Sequence, residues 1–105
     1  MRYFVYIIGE TPQRINLSCQ IKFKKAQILL EEKGFRVFNP IITLVNKKIK
    51  FEDANKINVR QLLNCNVAYV LNSVSLEKTN NAELLLALKL NMLIIQDSIF
   101  LNEET

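Results

Sequence analysis

The sequence predicts an α/β fold in which helices cover both faces of a parallel sheet. Four short segments rich in β-forming residues alternate with longer segments of helical pattern over the 105 residues, and this alternation is typical of parallel strands joined by right-handed crossovers. One segment, 67–71, is apolar throughout, as expected for a strand buried on both faces. We therefore expect one domain over residues 1–105, a three-layer, flavodoxin-like fold of about four strands in the order 2-1-3-4.

The first half of the chain contains two predicted strands and one long helix. Residues 2–8 form the first strand, and Gly9 follows it, where a residue without a Cβ allows a sharp turn or the close approach of a ligand. A helix is predicted from about residue 16 to residue 33, and it ends at Gly34, which favours a left-handed cap. The second strand, 35–39, is ended by the proline that follows it.

The first helix has apolar residues on two sides. One stripe, assigned to the sheet, contains Cys19, Phe23, Ala26 and Leu30. The opposite side contains Leu17, Ile21 and Ile28. We interpret this second set as part of a wide apolar face, as a helix terminus packed by a loop, or as a second buried surface. The last interpretation predicts a homo-oligomer.

The second half continues the alternation of helices and strands. Residues 41–50 are predicted to form a long loop that has room for a short strand. A helix follows from residue 51 or 52 to about residue 64, with Asn58 at the border of its buried face. The remaining elements are the third strand, 67–71, an apolar helix from about residue 80 to a cap at Asn91, and the fourth strand, 92–96. Tyr69 is expected in the core with its hydroxyl hydrogen-bonded.

Composition excludes several kinds of chemistry. The chain has no histidine, which removes Ser-His and Cys-His nucleophile systems and the commonest zinc ligand. Its two cysteines, Cys19 and Cys65, lack CxxC spacing and are expected to be free thiols. We therefore expect no metal and no cofactor, and any chemistry must use carboxylates, hydroxyls, amides, lysine or arginine.

Charge and hydropathy restrict the partners. The net charge is +4. The one aromatic residue among the lysine clusters within residues 22–25 and 47–50 is Phe23, which belongs to the stripe assigned to the sheet, so no exposed aromatic platform accompanies the charge and nucleic acid is unsupported as a partner. No apolar run approaches the roughly 20 residues that span a bilayer. The first nine residues also lack a small-residue cleavage site. We expect a cytoplasmic protein without a membrane partner.

The predicted strand order places a crevice beyond the carboxyl ends of the first and third strands, because their connections leave to opposite faces of the sheet. The candidate ligand-binding residues are Gly9, Glu10, Arg14, Asn39, Asn72 and Ser73. Three of these residues have structural alternatives. In these alternatives Gly9 serves only as a turn after the strand, and the Arg14 side chain is solvated instead of pairing with a phosphate. Asn39 instead fixes the exit of the chain from the second strand. Glu83 brings a carboxylate to the same crevice from the start of the following helix.

Three groups of residues carry a resemblance to a known family. They are Phe23-x2-Ala26-x3-Leu30-x3-Gly34-x2-Val37-x-Asn39-Pro40, Leu62-Leu63-x-Cys65-Asn66-x2-Tyr69-x-Leu71 and Glu83-x3-Ala87-x2-Leu90. In these residues the chain resembles, over nearly its whole length to Ile95, small phage and bacterial proteins related to nucleoside 2-deoxyribosyltransferases. The resemblance implies that Glu83 is the nucleophile and that Gly9 lies near the nucleoside.

The chain departs from the pattern of this family at several positions. An aspartate that the enzymes use on the preceding helix corresponds to Asn58, whose amide keeps hydrogen bonding but cannot give or take a proton as a carboxyl group does. The frequent Cys-Asp pair before the third strand is Cys65-Asn66 here. The bulkier residues 77–80 replace the small serine and glycine residues usual before the glutamate.

The residues leave several functions open. In retaining cleavage of an N-glycosidic bond, one carboxylate attacks the anomeric carbon and a second group handles the proton of the leaving group. Glu83 fits the first role, with Glu10 and Asp53 as distant candidates for the second. The alternatives are a non-catalytic module that binds a nucleoside or nucleotide or that assembles, and a structural accessory protein. Asn80-x-x-Glu83 also has the spacing of a capping box, which needs no catalysis.

Overall fold

The computed structural model describes residues 3–12, 14–72, 74 and 81–97. The elements, in chain order, are β1 (Phe4–Ile8), α1 (Leu17–Glu32), β2 (Arg36–Phe38), α2 (Pro40–Leu44), α3 (Phe51–Asn64), β3 (Val67–Val70), α4 (Ala82–Lys89) and β4 (Leu93–Gln96). The four strands form one parallel sheet in the order β2-β1-β3-β4, and helices pack on both of its faces. The predicted fold class and strand order are confirmed.

Two apolar cores lie on the two faces of the sheet. On one face of the sheet, every second residue of β1 and β3 contacts the predicted stripe of α1. The residues between them point to the other face, where they contact α3 and α4. The four residues of β3 are at most 1 % exposed, so this strand is the central buried one that its apolar run predicts. The Tyr69 hydroxyl donates a hydrogen bond to the Asp97 carboxylate, as expected for a buried tyrosine.

The ends of the helices follow the predicted caps with one exception. Gly34 and Asn91 both adopt a positive φ, of 92° and 55°, and end α1 and α4 respectively, as predicted. The N-cap of α4 is Asn81, whose Oδ1 accepts from the backbone N–H of Leu84 at 3.0 Å. The capping box predicted from Asn80 is therefore wrong, because Glu83 is the second helical residue and stands one position too early to complete such a box.

The prediction of a long loop over residues 41–50 is wrong at its start, where the chain forms the short helix α2. Asn39 caps this helix, since its Oδ1 accepts from the backbone N–H of Ile41 at 3.0 Å. Pro40 occupies the first helical position, where its missing N–H costs nothing. Burial of Ile41 against the α1 side of the sheet then holds the turn in place.

Several apolar side chains remain on the outside of the molecule. Leu17, Ile21 and Ile28 of α1 are all exposed, Leu17 to 70 %, so no described part of the chain covers them. Among the residues that the structure describes, no helix is long and apolar enough to cross a membrane.

Candidate functional site

A cleft of about 800 Å³ opens beside the end of β1. Its walls come from the loop after β1, the end of α2, one side of α3 and the first turn of α4. The described residues that line it are Thr11, Pro12, Arg14, Ile15, Gln20, Leu44, Val45, Phe51, Asn55, Asn58, Val59, Ala82 and Glu83. The cleft therefore lies where the strand order predicts a crevice.

Asn81 fixes the start of α4 to the end of β1. Its side-chain amide donates to the carbonyl oxygen of Gly9 at 3.4 Å, while its Oδ1 caps α4 through the backbone N–H of Leu84. One side chain thus ties two walls of the cleft together. Glu83 comes two residues after this cap, so the position of its carboxylate depends on the same tie.

Glu83 is half-buried, and its Oε2 atom is buried without a hydrogen-bond partner among the described residues. Its place in the first turn of α4 favours the ionised form, but burial has the larger effect and raises the pKa of the carboxyl group. The nearby Tyr6 hydroxyl acts in the opposite direction and lowers this pKa by less. Glu83 therefore keeps its proton to a higher pH than a glutamate in water.

Tyr6 lies in β1 and is close enough to Glu83 for the two groups to interact electrostatically. Burial raises the pKa of its hydroxyl, and the charge of Glu83 raises it further. Its oxygen has no hydrogen-bond partner of normal geometry among the described residues. Sequence reasoning missed this contact, although a phenol hydroxyl inside a largely buried strand is a signal, because it requires a polar neighbour.

Asn58 reaches the cleft from α3, as its predicted position at the border of the buried face implies. It is 5 % exposed, and its side-chain amide donates to the carbonyl oxygen of Pro40 at 3.3 Å. Its Oδ1 atom is buried without a hydrogen-bond partner among the described residues. Asn58 and Glu83 therefore each bring one unpaired acceptor oxygen to this part of the molecule, and each such atom is costly to leave unpaired.

Gly9 is close to the core of the protein. A Cβ built on this residue would lie 2.7 Å from Leu71 Cδ1 and 2.8 Å from Phe23 Cζ, both shorter than real side-chain contacts. The missing side chain therefore makes room for the packing of β1 against α1. Its carbonyl oxygen accepts the hydrogen bond from Asn81, but Gly9 itself does not line the cleft.

The structure brings together part of the predicted site. Arg14 lines the cleft with Asn58 and Glu83, whereas Glu10 and Asn72 are exposed and do not line it. Ser73 lies outside the described residues.

Asn39 has a structural role. Besides capping α2, it donates through its side-chain amide to Gln27 Oε1 at 3.2 Å, and it faces a separate groove between α1 and α2. This arrangement agrees with the alternative that Asn39 fixes the exit from the second strand.

The remaining reactive side chains of the described residues form no second centre. Cys19 and Cys65 are free, and burial raises the pKa of the Cys65 thiol to about 11, so it stays protonated at neutral pH. Within the part of the chain that the structure describes, no group of three His, Cys, Asp or Glu side chains is arranged to hold a metal ion.

The fold defines the class of the chain, the α/β domains built on a parallel sheet. Within this class, residues 4–96 match the family model described as Domain of unknown function (DUF4406), and the chain belongs to this family. Comparison with curated proteins and with solved structures gives no match. The resemblance to nucleoside 2-deoxyribosyltransferases stays a prediction.

Proposed function

We propose that the protein binds a nucleoside or nucleoside monophosphate in the cleft between the loop after β1 and the first turn of α4. The observation that carries this proposal is Asn58 Oδ1, a buried acceptor atom without a partner among the described residues, on a residue that lines one cleft with Glu83. Glu83 Oε2 is a second buried acceptor there, and it has the Tyr6 hydroxyl nearby but no hydrogen bond of normal geometry. Buried acceptors are normally satisfied. Donors from a ligand would remove the cost of leaving them unpaired, and ribose hydroxyls are such donors.

The rest of the cleft suits the other parts of the same ligand. Arg14 is exposed at the cleft and has no hydrogen bond or ion pair to another described residue, so its guanidinium is available to pair with a phosphate. The volume of about 800 Å³ lies within the range of small-molecule sites. A nucleoside monophosphate therefore finds an acceptor region, a cation and sufficient space.

A catalytic version of the proposal is cleavage of the N-glycosidic bond with Glu83 as nucleophile. The carboxylate would attack the anomeric carbon, the bond to the base would break, and the base would leave with the electron pair and take up a proton. Water would then hydrolyse the glycosyl ester. The resemblance to the transferases supports this version.

The second proton-handling group decides between binding and catalysis. Among the described residues that line the cleft, Glu83 is the one carboxylate, and Glu10 and Asp53 do not line it. Asn58 cannot exchange a proton as a carboxyl group does. Ligand binding is therefore the better supported function, and turnover requires a proton donor from another source.

The test combines calorimetry with an assay for released base, using a panel of nucleosides and their 5′-monophosphates. We expect the wild-type protein to bind members of the panel. If it is an enzyme, Glu83→Gln reduces base release by several orders of magnitude while the affinity changes far less, because the substitution keeps the size of the side chain but removes its charge.

A binding protein releases no base with or without this substitution. The matched control is Glu52→Gln, which removes an exposed carboxylate from the first turn of α3 outside the cleft and should leave binding unchanged. Absence of binding to every member of the panel would contradict the proposal.

A further inference from the structure

We propose that Phe51 holds the aromatic base of the bound nucleotide, an inference that rests on the function proposed above. Phe51 is the first residue of α3 and lines the same cleft as Arg14 and Glu83. Its side chain is 68 % exposed, and its ring has no stacking or cation–π partner among the described residues. One face of a large aromatic ring is thus open to a ligand in the cleft.

The row of residues on α3 gives the ligand a direction. Phe51, Asn55 and Asn58 follow one another at helical spacings of four and three residues, so they line the cleft along one side of the helix. Phe51 is exposed at the outer end and Asn58 is buried at the inner end. The rise between them along the helix axis is about 10 Å. A nucleotide along this row has its base on Phe51 and its sugar towards Asn58 and Glu83.

The surroundings of Phe51 favour a small aromatic group over a protein surface. Its neighbours at the start of α3 are Glu52, Asp53, Asn55 and Lys56, which are all polar or charged and exposed. A protein partner would have to cover these residues to reach one aromatic side chain, whereas protein interfaces have aromatic anchors at a desolvated centre. A planar base stacks on the ring and leaves the charges in water.

The chemistry of stacking predicts which ligands depend on Phe51. Every base has a π-face, so the ring supports purines and pyrimidines alike and gives affinity with little base preference. A sugar phosphate without a base gains nothing from the ring. Phe51 is therefore assigned to recognition of the base, and Arg14 to recognition of the phosphate.

The experiment measures the affinities of AMP, UMP and ribose 5-phosphate by calorimetry. We expect Phe51→Ala to reduce the affinity for AMP and UMP about 5- to 100-fold. The wild-type protein should bind ribose 5-phosphate weakly or not detectably, and the substitution should leave that affinity unchanged. Leu63→Ala is the matched control, because it removes an exposed apolar side chain from the same helix outside the cleft and should not change the affinities.

A second variant tests the contact directly. The chain contains no tryptophan, so Phe51→Trp introduces a single tryptophan, whose fluorescence can be excited apart from that of the tyrosines, at the mouth of the cleft. We expect AMP to change its fluorescence and ribose 5-phosphate to leave it unchanged. If Phe51→Ala does not fold, this fluorescence change still tests whether the base of AMP contacts the side chain at position 51.

Two results would overturn the assignment while leaving the proposed function intact: wild-type affinity for AMP in folded Phe51→Ala, or Phe51→Trp fluorescence that does not respond to saturating AMP. If wild type binds none of the probes, the proposed function fails and the assignment of Phe51 fails with it.

Discussion

At the scale of single residues, Glu83 is a carboxylate whose surroundings differ strongly from water. The fold buries one of its oxygens without a partner and places it beside the buried hydroxyl of Tyr6. Burial disfavours the ionised form more than the helix terminus favours it. A site that is costly in the unliganded protein is a common feature of functional residues.

This cost predicts how stability depends on pH. The folded protein raises the pKa of Glu83 above its ordinary value of 4.5, so between these two pKa values the folded state binds more protons than the unfolded state. The contribution of Glu83 to stability therefore falls as pH rises through this window. We expect Glu83→Gln to be more stable than wild type at pH 7 and the difference to shrink as pH falls towards 4, as measured by urea unfolding.

Glu52→Gln is the control for this measurement. It removes an exposed carboxylate from the first turn of α3, where water already solvates the charge. This substitution should therefore not increase the free energy of unfolding at pH 7. If Glu83→Gln were less stable than wild type at pH 7 and equal to it at pH 4, the carboxylate would be stabilising and the argument from burial would be wrong.

Gly9 gives a second prediction at this scale. Its Cβ would overlap the ends of Leu71 and Phe23, and the buried Phe23 ring has little room to move. We expect Gly9→Ala to destabilise the protein by about 1–3 kcal/mol, the usual cost of overpacking a core. Urea unfolding measures it, and Gly9→Ala combined with Leu71→Val should recover part of the loss. Equal stability of Gly9→Ala and wild type would show that the core adapts freely.

At the scale of the elements, α1 is the helix with two apolar sides. Its inner stripe is buried against the sheet, but Leu17, Ile21 and Ile28 are exposed although apolar. Exposed apolar side chains that lie together on one helix are typical of an interaction surface, and a second copy of the chain is the occupant that the sequence predicts. We therefore keep self-association through α1 as a proposal beside nucleotide binding.

Light scattering tests this proposal. We expect wild type to be a dimer or larger at micromolar concentrations, and Leu17→Gln combined with Ile28→Gln to shift it towards monomer, because the change removes apolar surface and keeps good helix formers. Leu63→Gln changes an exposed leucine on α3, whose exposure lies between those of Leu17 and Ile28, and should not shift the mass. A wild-type monomer at all micromolar concentrations would remove the proposal.

At the scale of the whole molecule, the sequence predicts the sheet better than the site. The buried run 67–71 and the alternation of helices define the strand order, since apolar pattern and the handedness of crossovers leave few topologies. The helix α2 was missed because its five residues are too few to show helical periodicity.

The site depends on contacts that no local pattern contains. Asn80 and Asn81 are adjacent and both suit an N-cap, so the sequence does not distinguish between them. The burial of Glu83 beside Tyr6 arises only when β1 and α4 pack together. Asn39 could be assigned to the ligand or to the chain turn from its position alone. Its hydrogen bonds with Ile41 and Gln27 favour the structural role, in which Asn39 fixes the chain after the second strand.

The central position of β1 also governs when this protein can fold during synthesis. The backbone N–H of Phe4, at the start of β1, donates to the side chain of Asn66, which lies 62 residues further along the chain. Until β3 has left the ribosome, β1 has only β2 to pair with and keeps its other edge open. The sheet is therefore completed late, and a nascent chain halted before residue 67 exposes an apolar strand edge that chaperones or aggregation can capture.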